Sequence, residues 1–284
     1  MRIPTTFTKG HGTGNDFVIL ADDEAALDLT PDQVQRISDR HTGIGCDGIL
    51  RVVPTRLMAD YAHLSDSAQW FMDYRNADGS IAEMCGNGVR VFAHFLVRTG
   101  RVQESEFFVA TRGGIKGVRA VGADQYEVAM GGFDEISSGE PLTVSLEGRS
   151  WNAVGVALPN PHAVSFVDDL ADLGEVLTQP SVSPSAAFPH GANFEFVVEK
   201  ADRHVELRVH ERGVGETLSC GTGACAVAWA ARRRAGGSGD TTWRVDVPGG
   251  TVFVRETDSG QLFLTGPAVL TANGEFIESW WNAS

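Results

Sequence analysis

Lysine is scarce in this chain of 284 residues, occurring only as Lys9, Lys116 and Lys200. Lys9 and Lys116 neighbour glycines, and Lys200 ends a strand-like run before Ala201-Asp202. None is placed to form the Schiff base that a pyridoxal-phosphate enzyme requires. Cysteine is also sparse, at 46, 85, 220 and 225, with no Cys-x-x-Cys and no Cys/His group at zinc spacing. A disulfide framework and a zinc site are therefore not expected, and no metal or other cofactor is called for. No run of about 18 apolar residues is present, so no membrane-spanning helix is expected. The start, Met1 to Lys9, lacks the apolar centre of a secretory signal, which makes the cytoplasm the expected location. Positive charge is short too: the net charge is −14 and the pI about 4.9. Arg232-Arg233-Arg234 is the one basic cluster and reads as the last turn of a helix ahead of Gly236-Gly237. Nucleic acid and anionic membranes are excluded as expected partners.

Two short stretches say nearly the same thing. Cys85-Gly86-Asn87-Gly88 and Cys220-Gly221-Thr222-Gly223 each lead into an apolar, helix-prone run. Each puts a thiol at a helix start, where unpaired backbone N–H groups and the helix dipole favour a thiolate. Asn76 precedes Cys85 by nine residues, as Glu211 precedes Cys220, and in both cases a strand leads into a turn carrying that polar residue and then to the thiol. Duplication accounts for this most economically.

The rest of the pattern is strand-rich. Helices are expected over 31–41, with Thr30 as N-cap and Pro31 first, over 85–99 and over 221–235. Strands are expected at 2–9, 17–20, 49–53, 70–75, 106–111, 114–121, 125–130, 142–147, 151–158, 194–200, 204–210, 242–247, 250–256 and 261–265. Gly10 to Asp16 reads as a turn, 54–69 as a loop, and 168–190 as a polar stretch with a short helix. Strands and helices do not alternate regularly, so a Rossmann fold does not fit. The expected fold is α+β: two similar domains related by pseudo-twofold symmetry, each a curled, mainly antiparallel sheet around a central helix. The expected boundaries are 1–130, joined by 267–284, and 131–266.

The glycines after each cysteine let the backbone approach a ligand and leave N–H donors pointing outward. A carboxylate held there suits proton abstraction from the carbon beside it, because the developing charge meets donors already in place. A base on one face of a carbon and an acid on the other invert its configuration, as a cofactor-independent racemase or epimerase requires.

At these residues the chain resembles diaminopimelate epimerases over essentially its whole length. The motifs that carry the resemblance are Lys9-Gly-His-Gly-Thr-Gly-Asn15-Asp16-Phe17, Asn76-Ala-Asp-Gly79, Cys85 to Gly88, Asn160-Pro161-His162, Glu211-Arg212-Gly-Val-Gly-Glu216-Thr217 and Cys220 to Gly223. The resemblance implies an active site in the cleft between two domains. It implies conversion of LL-diaminopimelate to the meso form, on the lysine and peptidoglycan-precursor route, without metal or pyridoxal phosphate. Carried over residue by residue, Cys85 and Cys220 are the acid–base pair. Gly86, Asn87, Gly221 and Thr222 supply backbone donors to the reacting carboxylate. Asn15, Asn76, Asn160, Asn193 and Arg212 hold the substrate's polar groups, Glu211 receives the ammonium at the reacting centre, and His162 supports the geometry. The partner is a small amino-acid substrate, and a homodimer is compatible with the resemblance.

One departure stands in Thr42-Gly43-Ile44-Gly45-Cys46-Asp47-Gly48, where many members of the family carry Phe for Cys46 and Gln for Gly48. Cys46 and Cys225 read as small core hydrophobes. A proline racemase-like enzyme would show His where Asn87 stands. A cysteine hydrolase built on Cys220 and His162 leaves Cys85 and the repeat unexplained.

Overall fold

The structure, a computed structural model, describes residues 5–137, 139–237 and 239–282. The first residues of the expected strand 2–9, Ser138 and the last two residues of the chain lie outside these. The chain divides into two compact units: the residues up to Val128 together with those from Pro267 onward, and Ala129–Gly266.

In the first unit, strand Thr6–Gly12 turns back into Asn15–Ala21. The turn is only two residues long, with Thr13 and Gly14 both at positive φ, 50° and 82°, the geometry that two-residue hairpins prefer. Strand then extends through most of the stretch read as a turn. Asn15–Ala21 pairs in parallel with Gly48–Pro54, the crossover containing helix α1 (Pro31–Ser38). Gly48–Pro54 pairs antiparallel with Trp70–Asn76, which pairs in parallel with Glu106–Thr111 across helix α2 (Gly86–Arg98). Gly114–Ala120 and Gln125–Gly131 follow antiparallel. At the other edge, Val269–Glu275 pairs antiparallel with Thr6–Gly12, which is why the end of the chain joins this unit.

The second unit repeats that order. Arg149–Ala157 pairs antiparallel with Pro161–Phe166, and Pro161–Phe166 in parallel with Asn193–Ala201. Asn193–Ala201 pairs antiparallel with His204–Glu211, which pairs in parallel with Thr241–Val247 across helix α3 (Gly221–Arg234). Gly250–Glu256 and Leu262–Pro267 close the order antiparallel.

Local chemistry accounts for the helices. Thr30 and Gln33 form a reciprocal capping box at α1, with Pro31 first. Helices α2 and α3 are buried on every side from Gly86 to Leu96 and from Gly221 to Ala231, so sheet must surround each. Val89, Val91, Phe92 and Leu96 are fully buried, and each contributes about 1.5–3 kcal/mol by burial. The C-terminal helix α4 (Glu278–Asn282) carries the Trp280-Trp281 tail. Both rings pack on Phe276, and the two backbone carbonyls accept from Arg36.

Several expectations differ from the structure. Residues 54–69 hold two 3-10 turns, Thr55–Leu57 and Ala59–Leu64. The stretch 168–190 holds 3-10 turns at Leu170–Leu173 and Ser185–Ala187 around a short strand, Ser181–Ser183. Residues 161–166, outside the expected strands, form the strand Pro161–Phe166, and Pro161 takes its first position, where its missing N–H costs least.

Candidate functional site

Each unit builds a polar cluster at the N-terminus of its buried helix. In the first unit Cys85 is the N-cap of α2, extended at φ −139° and ψ 119°, and its Sγ accepts the Gly88 N–H at 3.3 Å. The thiol donates to Asn15 Oδ1 at 3.5 Å, and Asn87 Nδ2 donates to the same oxygen at 3.3 Å. Asn15 Nδ2 donates to Asp47 at 2.8 Å. Asn87 is held from behind by Arg90, whose guanidinium donates to Asn87 Oδ1 at 3.0 Å and to Thr13 Oγ1 at 3.3 Å. Gly86 is the first residue of α2 and is buried. Asn76, the last residue of its strand, donates through Nδ2 to Ser80 Oγ at 2.9 Å.

A charged frame holds Asn15. Asp16 is bound by Lys9 at 2.5 Å and Arg40 at 2.7 Å, and Arg40 also reaches Asp47 at 2.7 Å. Burial works against the Asp16 charge, but the Arg40 and Lys9 contacts outweigh it and lower its pKa to about 2.

In the second unit Cys220 is the N-cap of α3, at φ −117° and ψ 115°, with Sγ accepting the Gly223 N–H at 3.4 Å and lying 3.4 Å from Thr222 Oγ1. Gly221 is the first residue of α3, and it and Thr222 are buried. Period-2 alternation sets the rest. Phe194 and Phe196 enter the hydrophobic core on one sheet face, so Asn193 and Glu195 occupy the other. Parallel pairing sets His162 beside Asn193. His162 Nδ1 lies 2.6 Å from Glu195 Oε1 and Nε2 lies 3.1 Å from Asn160 Oδ1. Glu211 ends the next strand and accepts from Thr217 Oγ1 at 2.5 Å. Asn193 Oδ1 accepts the Arg212 backbone N–H at 2.9 Å, while the Arg212 side chain is exposed and reaches the His190 carbonyl at 3.3 Å.

The electrostatics of this cluster reverse one expectation. Burial pushes the Cys220 thiol well up, and the charges of Glu211 and Glu195 add to the push, against the Thr222 and Gly223 hydrogen bonds. A helix start alone does not make this cysteine a thiolate. Burial likewise pushes the Glu211 carboxyl up, and the Glu195 charge adds to it.

Cys85, Asn15 and Asn87 thus meet in the first unit, with Asn76 on the strand that leads toward the thiol. Cys220, Thr222, His162, Asn160, Asn193 and Glu211 gather in the second, and Arg212 joins through its backbone. Sequence reasoning missed Glu195, Thr217, Arg90 and the frame around Asp16. Glu195 carried a signal: an acid between two phenylalanines of a buried strand calls for a partner. Gly48 also has a reason. A Cβ there would stand 2.6 Å from the Tyr74 ring and 2.7 Å from the Arg75 carbonyl, so Tyr74 occupies the space a longer side chain would need. Cys46 is buried and donates to Ser38 Oγ at 3.3 Å, and Cys225 is fully buried in α3.

A curled sheet around a cysteine-capped helix, built twice in one chain, places the protein in a known fold class. The fold is similar to that of a Bacillus anthracis phenazine biosynthesis protein of the PhzF family, with a TM-score of 0.70 and 16% identity over 96% of this chain and 99% of that one. It is similar also to a hydroxyproline epimerase from Agrobacterium vitis, with a TM-score of 0.67 and 13% identity over 96% of this chain and 90% of that one. Identities this low establish fold alone.

Sequence goes further. The diaminopimelate epimerase family profile matches residues 7–134 and 154–271. The chain is 50% identical to the diaminopimelate epimerase of Streptomyces coelicolor over 96% of both chains. It is 45% identical to that of Corynebacterium glutamicum over 97% of this chain and 99% of the other. The chain belongs to the diaminopimelate epimerase family.

Proposed function

We propose that this chain inverts one α-carbon of LL-2,6-diaminopimelate to give the meso isomer, without a cofactor, using Cys85 and Cys220 as the two acid–base groups. The observation that carries this reading is the matched local build of the two thiols. Each caps a buried helix, each accepts the N–H of the third helical residue, and each is followed by glycine. The reaction requires two such groups, addressing opposite faces of one carbon. The thiolate of one takes the α-proton, the electron pair spreads onto the carboxylate, and the S–H of the other delivers a proton to the carbon.

In this reading the amides of Gly86-Asn87 and Gly221-Thr222 hold the reacting carboxylate and meet its growing charge, where a well-aimed donor contributes about 3 kcal/mol to the barrier. The Asn87 side chain is already engaged with Asn15 and Arg90, so Asn87 serves through its backbone. Glu211, kept in place by Thr217, receives the ammonium at the reacting centre. Asn15, Asn76, Asn160 and Asn193 hold the remaining polar groups, and exposed Arg212, which reaches the His190 carbonyl through one nitrogen, grips a carboxylate through its guanidinium fork. His162 supports the geometry beside Cys220.

In this reading the product serves lysine and peptidoglycan-precursor synthesis, a role that fits a cytoplasmic enzyme. No helix among the described residues is long and apolar enough to cross a membrane. A homodimer fits this reading, and sedimentation equilibrium reports it directly. The reading itself is tested by incubating the protein with LL-diaminopimelate in deuterated water and following the α-proton. Deuterium enters at one centre with inversion, and Cys85→Ala or Cys220→Ala each lowers turnover by several orders of magnitude. Turnover unchanged in either variant refutes the two-thiol mechanism.

A further inference from the structure

The proposed chemistry leaves one buried acid without a task. Glu195 is wholly excluded from solvent, as is His162 beside it. Its Oε1 takes the short contact from His162 Nδ1, at 2.6 Å. Its Oε2 has no hydrogen-bond partner among the described residues. The carboxylate also presses on the first turn of α3: a Cβ at Gly223 would stand 2.6 Å from Oε1. Only a glycine at that position leaves Glu195 room.

A buried carboxylate costs several kcal/mol unless it is paired. Two features offset the cost here. His162 Nδ1 lies 2.6 Å from Glu195 Oε1 and its Nε2 lies 3.1 Å from Asn160 Oδ1, so the ring is placed to donate to the carboxylate. The positive end of the α3 dipole faces the carboxylate. A neutral side chain of the same shape would fill this space at lower cost, so the charge itself is the feature that needs a purpose. The groups facing Cys220 are Glu211 from strand His204–Glu211, Glu195 from strand Asn193–Ala201, and the Thr222 hydroxyl and Gly223 N–H from α3 itself. His162, from strand Pro161–Phe166, faces Glu195 and acts on Glu211. Glu195 is therefore the member of the Glu195–His162 pair turned toward the thiol.

We propose that Glu195 is a positioning residue of the Cys220 half-site: it fixes the His162 ring through Nδ1 and holds negative charge behind the thiol, and so sets the pH at which Cys220 gives up its proton. This rests on the reading of Cys220 as an acid–base thiol. Removing the charge makes the thiolate easier to form, and releasing the ring disturbs the geometry that turnover needs.

The test is the rate of iodoacetamide alkylation against pH, read by mass spectrometry on the Cys220 and Cys85 peptides separately, in the full-length chain and in Glu195→Gln. The Cys220 midpoint falls by about 0.5–1 pH unit, which raises its alkylation rate below the midpoint about three- to tenfold. The Cys85 profile stays in place, and kcat falls at least about tenfold while KM changes less than about threefold. An unchanged Cys220 profile, or an equal shift at Cys85, overturns the proposal. Should the Gln variant fail to fold, Glu195→Asp carries the test. It keeps the charge but withdraws it from Nδ1, so the Cys220 midpoint holds while kcat falls, and an Asp variant with unaltered kcat overturns the proposal. A wild-type chain that exchanges no α-proton with LL-diaminopimelate refutes the proposed function instead and leaves the alkylation result standing.

Discussion

Gly88 and Gly223 hold the same position in two similar helices, the third residue after a capping cysteine, yet the structure predicts unequal costs for replacing them by alanine. A Cβ at Gly88 would lie 3.3 Å from Cys85 Cβ, 3.4 Å from Leu50 Cδ2 and 3.6 Å from Cys85 Sγ. These contacts are tight but soft, since a leucine methyl can yield. At Gly223 the Cβ would lie 2.6 Å from Glu195 Oε1 and 3.2 Å from Cys220 Cβ. The carboxylate cannot yield without stretching its bond to His162. Alanine in a helix gains up to about 1 kcal/mol over glycine. Overpacking costs about 1–3 kcal/mol, and loosening a charge-assisted hydrogen bond a further 1.5–3 kcal/mol or so. Gly88→Ala should therefore stay within about 1 kcal/mol of the parent, while Gly223→Ala loses about 2–4 kcal/mol. At about 2–4 °C per kcal/mol, calorimetry should place Gly223→Ala roughly 5–15 °C below the parent and Gly88→Ala within a few degrees of it. Equal transition temperatures for the two variants would refute the argument that Glu195 is packed directly against α3.

Two further predictions concern the first unit. Asp16 has its pKa lowered to about 2 from 3.8, so its contribution is present above the unfolded value and is lost as pH falls through the folded one. Asp16→Asn should cost about 2 kcal/mol at pH 6 and less than half of that at pH 2.5, measured by urea unfolding; a cost independent of pH would contradict it. Arg51 is buried between Asp22, at 2.6 Å, and Asp73, at 3.2 Å. Asp73 keeps Arg75 and Arg112 when Arg51 is lost, whereas Asp22 is left with backbone donors alone. Arg51→Met should cost about 3–5 kcal/mol, and adding Asp22→Asn should recover part of it. A loss below about 1 kcal/mol in the single variant would show that the pair is not the buried charge network described.

What could be read in the sequence follows from where the signals are local. Helix α1 announces itself through Thr30, Pro31 and Gln33, and α2 and α3 through a cysteine, a glycine pair and a mostly apolar run. Strands with clean alternation, such as Leu142–Leu146, are equally local. The strand Pro161–Phe166 is not: its form comes from pairing with Arg149–Ala157 and Asn193–Ala201, and its opening Asn-Pro is ordinary turn chemistry taken alone. The hairpin at Thr13-Gly14 was hidden by surplus glycine, which suggests a longer turn than the pairing leaves. In the site, the capping cysteines were legible because a helix start is a local event. Glu195 shows in the sequence only as an acid that needs a partner; which partner is not legible, because His162 reaches it only across strand register.

The same distinction bears on why the two half-sites differ. The backbone framework is repeated: strand, parallel partner, antiparallel return, capping cysteine, buried helix. The charges placed around it are not. Around Cys85 stand the amides of Asn15 and Asn87, with the Arg90 guanidinium behind them. Around Cys220 stand Glu211 and Glu195, with His162 beyond. Burial and both carboxylates push Cys220 up, so this half-site holds the thiol proton more tightly than an ordinary cysteine does. A reaction with one thiol and one thiolate needs that difference before substrate arrives, and a duplicated framework cannot supply it by itself. It comes from a few positions, Asn76 against Glu211 and the acid at 195, where the halves have stopped matching.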